Sequence, residues 1–160
     1  MALAGIGLGS NLGDREATIR SAAERLRCLI VPGGRFKLSS LIETEPVDCP
    51  ADSPAFLNAA VEMEVNLTPL DLLTELQNLE VEFGREPIRA KNQPRSLDLD
   101  LLYYDAMTLD HPDLTLPHPL ATVRQFVMAP LAEICPDRIL PGSKDSCQHI
   151  FKHMKSVTTD

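Results

Sequence analysis

Tryptophan is absent from this chain, and aromatics make up only 4% of it, so platforms on which nucleic-acid bases could stack are scarce. Positive charge is short as well. Fifteen Lys and Arg stand against 23 Asp and Glu, a net charge of -8, which disfavours general attraction to nucleic acid or to an anionic membrane surface. No window approaches the roughly 18 continuous apolar residues that a membrane-spanning helix needs. The Met-Ala-Leu-Ala-Gly start lacks the charged region and long apolar run of a secretory leader. Four cysteines, at 28, 49, 135 and 147, form neither Cys-x-x-Cys nor a zinc spacing. Together these absences point to a reduced, cytoplasmic protein. Internal repeats and low-complexity tracts are missing too. What remains is a 44% hydrophobic content over 160 residues, which suits one domain, 1–160, with a proper core.

The most informative stretch runs from Gln93 to Tyr104, where leucines and acids alternate from Leu97 onward. In an extended strand that period puts Leu97, Leu99 and Leu101 on one face and Asp98 and Asp100 on the other. The two carboxylates then lie about 6.5 to 7 Å apart along the strand. Such a pair is either the solvated face of an edge strand or a trap for a hard divalent cation, whose remaining ligands would be phosphate oxygens and water. Just upstream, Arg85, Arg89, Lys91 and Arg95 bring four of the 15 basic residues into 11 positions, bracketed by Pro87 and Pro94. Arginine forks match phosphate oxygens in pairs, so a basic loop leading into an acidic strand suggests a polyphosphate with Mg²⁺.

Elsewhere the periodicities predict a strand over 2–8, a glycine-containing turn over 9–14 and a helix capped by Asp14 whose stripe is Ile19, Ala22, Ala23, Leu26, Leu29 and Ile30. Gly5, Gly7, Gly9 and Gly13 do not make Gly-x-Gly-x-x-Gly, so the turn is read as mainly structural. A second strand is expected over 35–43, followed by a proline-rich surface loop to Pro54. Over 56–65, Leu57, Ala59, Val61, Met63 and Val65 oppose Phe56, Asn58, Ala60, Glu62 and Glu64. Asn58 is thus either a polar residue on a wet face or, beside the Phe56 ring, an amide for the edge of a flat heterocycle. Thr68-Pro69-Leu70-Asp71 starts a helix that Gly84 stops, with Gln77 and Glu80 bordering its apolar stripe. Glu80 there has a partner or a ligand, or reaches out to water. Short extended pieces follow at 108–110 and 115–116. His118 stands between Pro117 and Pro119, either a turn residue or a group held in place. Helices are expected over 127–134 and in the tail. This order of elements is the α+β, ferredoxin-like pattern: a mostly antiparallel sheet with two helices on one face, the other face left free, and an added C-terminal helical segment.

Four stretches, Gly9-Ser10-Asn11-Leu12-Gly13, Phe56-Leu57-Asn58-Ala59-Ala60-Val61, Pro94 to Asp100, and Leu116-Pro117-His118-Pro119 with Arg124-Gln125-Phe126, closely resemble the 6-hydroxymethyl-7,8-dihydropterin pyrophosphokinases of folate biosynthesis. The resemblance runs from about residue 3 to 136. It implies transfer of the terminal pyrophosphate of ATP to the pterin hydroxymethyl group with release of AMP. It also implies two Mg²⁺ ions on Asp98 and Asp100, with Arg85 and Arg95 joining them in catalysis. The pterin would lie between Phe56 and Phe126, hydrogen-bonded by Asn58 and by the segment at Thr44 and Val47. ATP would meet Gln77, Glu80, Arg85, Arg95, Thr115, His118 and Arg124. Partners would be small molecules only, with no nucleic acid and no membrane, and the protein a monomer. The chain departs from the family pattern at Pro87, Asn92, Gln93 and Leu120, where arginine, tryptophan, a small residue and arginine are frequent. A non-enzymatic ferredoxin-like module for a small ligand is the competing reading. An Asp-x-Asp phosphatase would call for a parallel sheet.

Overall fold

The computed structural model describes residues 1–11, 13–44, 55–84 and 97–158, with Thr44 and residues 155–158 as backbone only. Strand β1 (Ala2–Ser10) leads through the Gly13 turn into helix α1 (Arg15–Arg27). As the sequence predicts, Asp14 caps that helix, its carboxylate accepting from the Ala17 amide at 3.1 Å. Next come β2 (Phe36–Leu38), β3 (Ile42–Thr44) and β4 (Phe56–Val65). Helix α2 (Pro69–Glu82) starts on Thr68, whose hydroxyl accepts from the Asp71 amide. Strand β5 (Asp98–Tyr104), the hairpin β6 (Leu109–His111) and β7 (Leu114–Leu116), α3 (Gln125–Ile134) and α4 (Cys147–Thr158) complete the described residues.

The main sheet has the order β2-β4-β1-β5, with β3 also on β4, and every pairing is antiparallel. This is the expected α+β, ferredoxin-like arrangement. Ala4, Ile6 and Leu8, the inward residues of β4, and Leu99 and Leu101 bury one face against α1 (Ile19, Ala22, Leu26) and α2 (Leu72, Leu76, Leu79). Each such leucine or isoleucine taken from water contributes about 1.5 to 3 kcal/mol, so the two stripes hold the helices on that face.

Three expectations change. The segment 35–43 is not one strand but two of three residues, because the chain breaks its ladder at Ser39–Leu41. There the Ser39 hydroxyl accepts from the Ala60 amide while the Glu133 carboxylate of α3 takes the Ser40 amide and hydroxyl. Side-chain bonds of this kind replace ladder bonds. Secondly, the other face of the sheet is not free: α3 and α4 cover part of it, packing Val127, Met128, Leu131 and Cys147 against Ala60, Leu102 and Tyr103. Thirdly, the alternation in β5 ends in a bulge. Ile6 pairs with Leu101 but Gly5 with Tyr103, so Leu102 is the extra residue and both Leu102 and Tyr103 face α3.

Glu62 belongs to this covered face and is only 1% exposed. Its carboxylate accepts from the Tyr103 hydroxyl, from Arg138 Nε at 3.0 Å and from Arg35 at 3.3 Å. Burial pushes the Tyr103 phenol well above its usual range, as do the neighbouring Cys135 thiol and the Glu62 carboxylate. A cavity of about 340 Å³, lined by Arg35, Glu62, Cys135 and Arg138, opens beside the cluster. Removing the shared acceptor strands its donors. Glu62→Ala is therefore expected to destabilise the protein by about 3 kcal/mol, read as a lower urea midpoint at unchanged slope.

Candidate active site

Because β1 runs antiparallel to both neighbours, its C-terminal end meets the starts of β4 and β5. The register there is informative: Gly9 pairs with Asn58 on one side and Asp98 on the other, and Gly7 pairs with Ala60 and Asp100. Directly opposed residues share a face, so Asn58, Asp98 and Asp100 all stand on the face opposite α1 and α2. Two strand spacings put the Asn58 and Asp98 backbones about 10 Å apart, with a residue lacking a side chain between them. A Cβ on Gly9 would sit 3.1 Å from Asn58 Oδ1, tighter than an ordinary contact, and 3.7 Å from the Phe56 ring, an ordinary one, so glycine gives the amide its room over β1. Asp98 and Asp100 are half-buried, and Asn58 is buried.

Helix α2 braces the acidic strand. Glu80, which sequence reasoning left between a partner, a ligand and water, is buried, and its Oε2 accepts from the Leu99 amide at 2.8 Å, between the two aspartates. Gln77, one turn away, is exposed. On the opposite side of the site the chain after β7 turns through a cis Leu116-Pro117 bond. The His118 amide donates to the Leu102 carbonyl at 2.8 Å, and its Nδ1 accepts from the Leu120 amide at 3.2 Å. With Nδ1 an acceptor, the neutral ring carries its proton on Nε2. Burial lowers the His118 pKa, the Arg124 guanidinium lowers it further, and Asp98 opposes both. That mutual influence brings His118, Arg124 and Asp98 into one neighbourhood. Arg124 also lies over the Phe126 ring, 5.5 Å from its centroid, at the start of α3. Thr115 is exposed on the β6–β7 hairpin.

Thus β4, β5, α2, and the stretch from β7 into α3 gather eight of the expected residues around one end of the sheet: Phe56, Asn58, Glu80, Asp98, Asp100, His118, Arg124 and Phe126. Thr44 enters by its backbone, which pairs with Phe56. Val47, Arg85 and Arg95, like Pro87, Asn92 and Gln93, lie outside the described residues.

Comparison with known proteins accords with this geometry. The family model described as 7,8-dihydro-6-hydroxymethylpterin-pyrophosphokinase (HPPK) matches residues 5–136. The chain belongs to this family. It is 42% identical over 161 residues to the 2-amino-4-hydroxy-6-hydroxymethyldihydropteridine pyrophosphokinase of Bacillus subtilis, covering 99% of this chain and 86% of the relative. The Pseudomonas aeruginosa enzyme of the same name is 40% identical over 141 residues, covering 87% and 84%. Among solved structures, an HPPK-DHPS in complex with substrates superposes with a TM-score of 0.77 at 13% identity, over 99% of this chain and 44% of that one. At that identity the likeness shows the fold. The chain spans less than half the length of that larger protein.

For this pyrophosphokinase, the donor set suits a hard cation of the Mg²⁺ kind. Asp98 and Asp100 offer oxygen ligands from one face, and no group of three or more His, Cys, Asp or Glu is gathered for a metal among the described residues. Two carboxylates leave most of an octahedron to phosphate oxygens and water, as Mg²⁺ prefers. Sequence reasoning missed Gly9. Its signal was present, since glycines at 5, 7 and 9 keep the same period of two as the aspartates, which marks a strand face kept clear rather than a phosphate loop.

The His118 neighbourhood has a direct test. In metal-free protein the imidazole should titrate below the usual value of about 6.5 by NMR. Asp98→Asn should lower its pKa further, and Arg124→Ala should raise it. Since the folded pKa lies below the unfolded one, acidification through about 6.5 favours the unfolded chain, and His118 contributes a loss of stability in that direction only.

Proposed function

We propose that residues 1–160 act as one pyrophosphokinase unit that transfers the terminal pyrophosphate of ATP to the hydroxymethyl group of 6-hydroxymethyl-7,8-dihydropterin, with release of AMP. The observation that carries this reading is the cross-strand row Asn58, Gly9, Asp98. It places an amide suited to a heterocycle edge and a carboxylate suited to a phosphate-bound cation on one surface, with a residue lacking a side chain between them. Phe56 and Phe126 supply the two rings between which the pterin is held, Asn58 reads its edge, and the segment at Thr44 and Val47 is assigned the remaining hydrogen bonds to it. Family membership and the named relatives favour this enzyme over a non-enzymatic ligand-binding module.

Phosphoryl transfer depends on positioning and charge neutralisation more than on covalent chemistry. Asp98 and Asp100 would hold two Mg²⁺ ions, which when bound neutralise phosphate charge and make the attacking hydroxyl more acidic. Glu80 keeps the spacing of the aspartates by fixing the Leu99 amide. His118, neutral at pH 7 with its proton on Nε2, donates to the α-phosphate or to the departing AMP. Arg85, Arg95 and Arg124 offset the charge of the triphosphate and of the migrating group, while Gln77 and Thr115 bound the nucleotide. The unit is taken to act as a monomer. The three described cysteines carry free thiols, in keeping with a reduced cytoplasm. Among the described residues no helix is long and apolar enough to cross a membrane.

Phosphorus NMR on ATP, Mg²⁺ and the hydroxymethyl pterin tests the reaction. AMP together with a pterin diphosphate is the expected outcome, whereas ADP or free phosphate contradicts it. Asp98→Ala should reduce kcat by about 10²- to 10³-fold or more, with the circular dichroism and melting transition of the parent. Full turnover in that variant removes the metal role.

A further inference from the structure

The first residue of α1 is placed against local preference. Arg15 occupies the position nearest the positive end of the helix dipole, where acids are favoured and cations are not. A residue that breaks a local rule has a tertiary reason for being there. Here the guanidinium faces the β3–β4 edge. Its Nη1 donates to the Ala55 carbonyl at 2.7 Å, and its Nη2 donates to Glu43 Oε2 at 3.0 Å. One planar fork thus spans from the middle of β3 to the residue just before β4.

That edge needs such a tie. Strand β3 has three residues and, among the described residues, pairs with β4 alone, so few ladder bonds set its register. Within it Ile42 lies opposite Asn58 and Thr44 opposite Phe56, which are the amide and the ring assigned to the pterin. The segment leading into it is tied from the opposite face of the sheet, where Glu133 of α3 accepts from the Ser40 amide at 2.9 Å and from the Ser40 hydroxyl at 3.0 Å. The short strand is therefore held by charge-assisted bonds from two helices, at Glu43 within it and at Ser40 two residues before it. An exposed ion pair alone is worth little, and Glu43 is mostly exposed. The bond to a backbone carbonyl from the same guanidinium makes the tie geometric, since a rigid fork loses less freedom than two separate bonds.

We infer that Arg15 is a positioning residue for the heterocycle pocket, setting the spacing of the Thr44 backbone against Phe56 and Asn58 without touching either substrate. This rests on the proposed pterin site at those residues. Arg15 lies on the far side of β4 from the aspartates, and nothing connects it to the nucleotide residues Gln77, Glu80, His118 or Arg124 in the bonds described. Its effect should fall on one substrate.

Steady-state kinetics of the full chain, with the hydroxymethyl pterin and MgATP varied in turn, tests this. Arg15→Ala should raise KM for the pterin by about tenfold, leaving KM for ATP and the melting temperature near those of the parent. Arg15→Lys keeps the charge but lacks the fork, so it should recover only part of the loss. In the Arg15→Ala background, Glu43→Ala should add nothing, because the two residues act through one tie. An unchanged pterin KM in Arg15→Ala overturns the inference, as do equal rises for both substrates accompanied by a lower melting temperature. Phe56→Ala and Asn58→Ala separate the two levels of the argument. If they raise the pterin KM and Arg15→Ala does not, the tie is wrong and the pocket stands. If neither affects it, the pocket assignment itself falls.

Discussion

Everything at the working end of this molecule depends on β1 being threaded, antiparallel, between β4 and β5 with glycine at alternate positions on one of its faces. Backbone pairing fixes which residues are opposed, and side-chain alternation then fixes which face they share. A slip of one residue in either ladder would send Asn58 or the aspartates into the apolar core under α1 and α2. Burying the leucines correctly and presenting the polar groups correctly are thus the same requirement.

The two faces of the sheet divide the labour. One is a continuous apolar layer against α1 and α2 and accounts for most of the burial. The other is split along its length, with α3 and α4 sealing the half that holds Tyr103, Glu62 and Ala60, and with Asn58, Asp98 and Asp100 at the opposite half. Its acidic residues have different surroundings for that reason. Glu62 lies under α3 and is matched by Tyr103, Arg138 and Arg35, whereas Asp98 stands beside the rim where His118 and Arg124 gather. The same sheet surface thereby supports a buried charge cluster and a candidate site for a charged substrate.

Much of this was legible in the residues. The Leu-Asp alternation, the Thr68-Pro69 helix start, the Asp14 cap and the apolar stripes of both helices are local signals, and local physics decides them. The family motifs also marked Asn58, the aspartates and His118. What was hidden is set by partners far along the chain. Ser39 and Ser40 look like ordinary strand residues until Glu133, more than ninety positions later, takes the Ser40 amide and breaks the strand in two. Glu62 reads as an outward acid because its period is right; that its face is covered depends on Arg138 and Tyr103. The bulge at Leu102 leaves no mark in Leu-Leu-Tyr-Tyr, since each side chain suits either face. Arg15, judged from the helix alone, belongs to the solvent side.

The glycine face of β1 also sets how this strand is able to drift over generations. At Gly5 an added Cβ would fall 2.1 Å from the Tyr103 ring, at Gly9 it would press on the Asn58 amide, and at Gly7 it would meet Leu102 at an ordinary 3.6 Å. Of three residues that look interchangeable in the chain, one is held by an aromatic neighbour, one is crowded by the Asn58 amide, and one retains room for change. Homologues should therefore vary first at the middle glycine, the outer two being restrained by different neighbours, Tyr103 at one and Asn58 at the other.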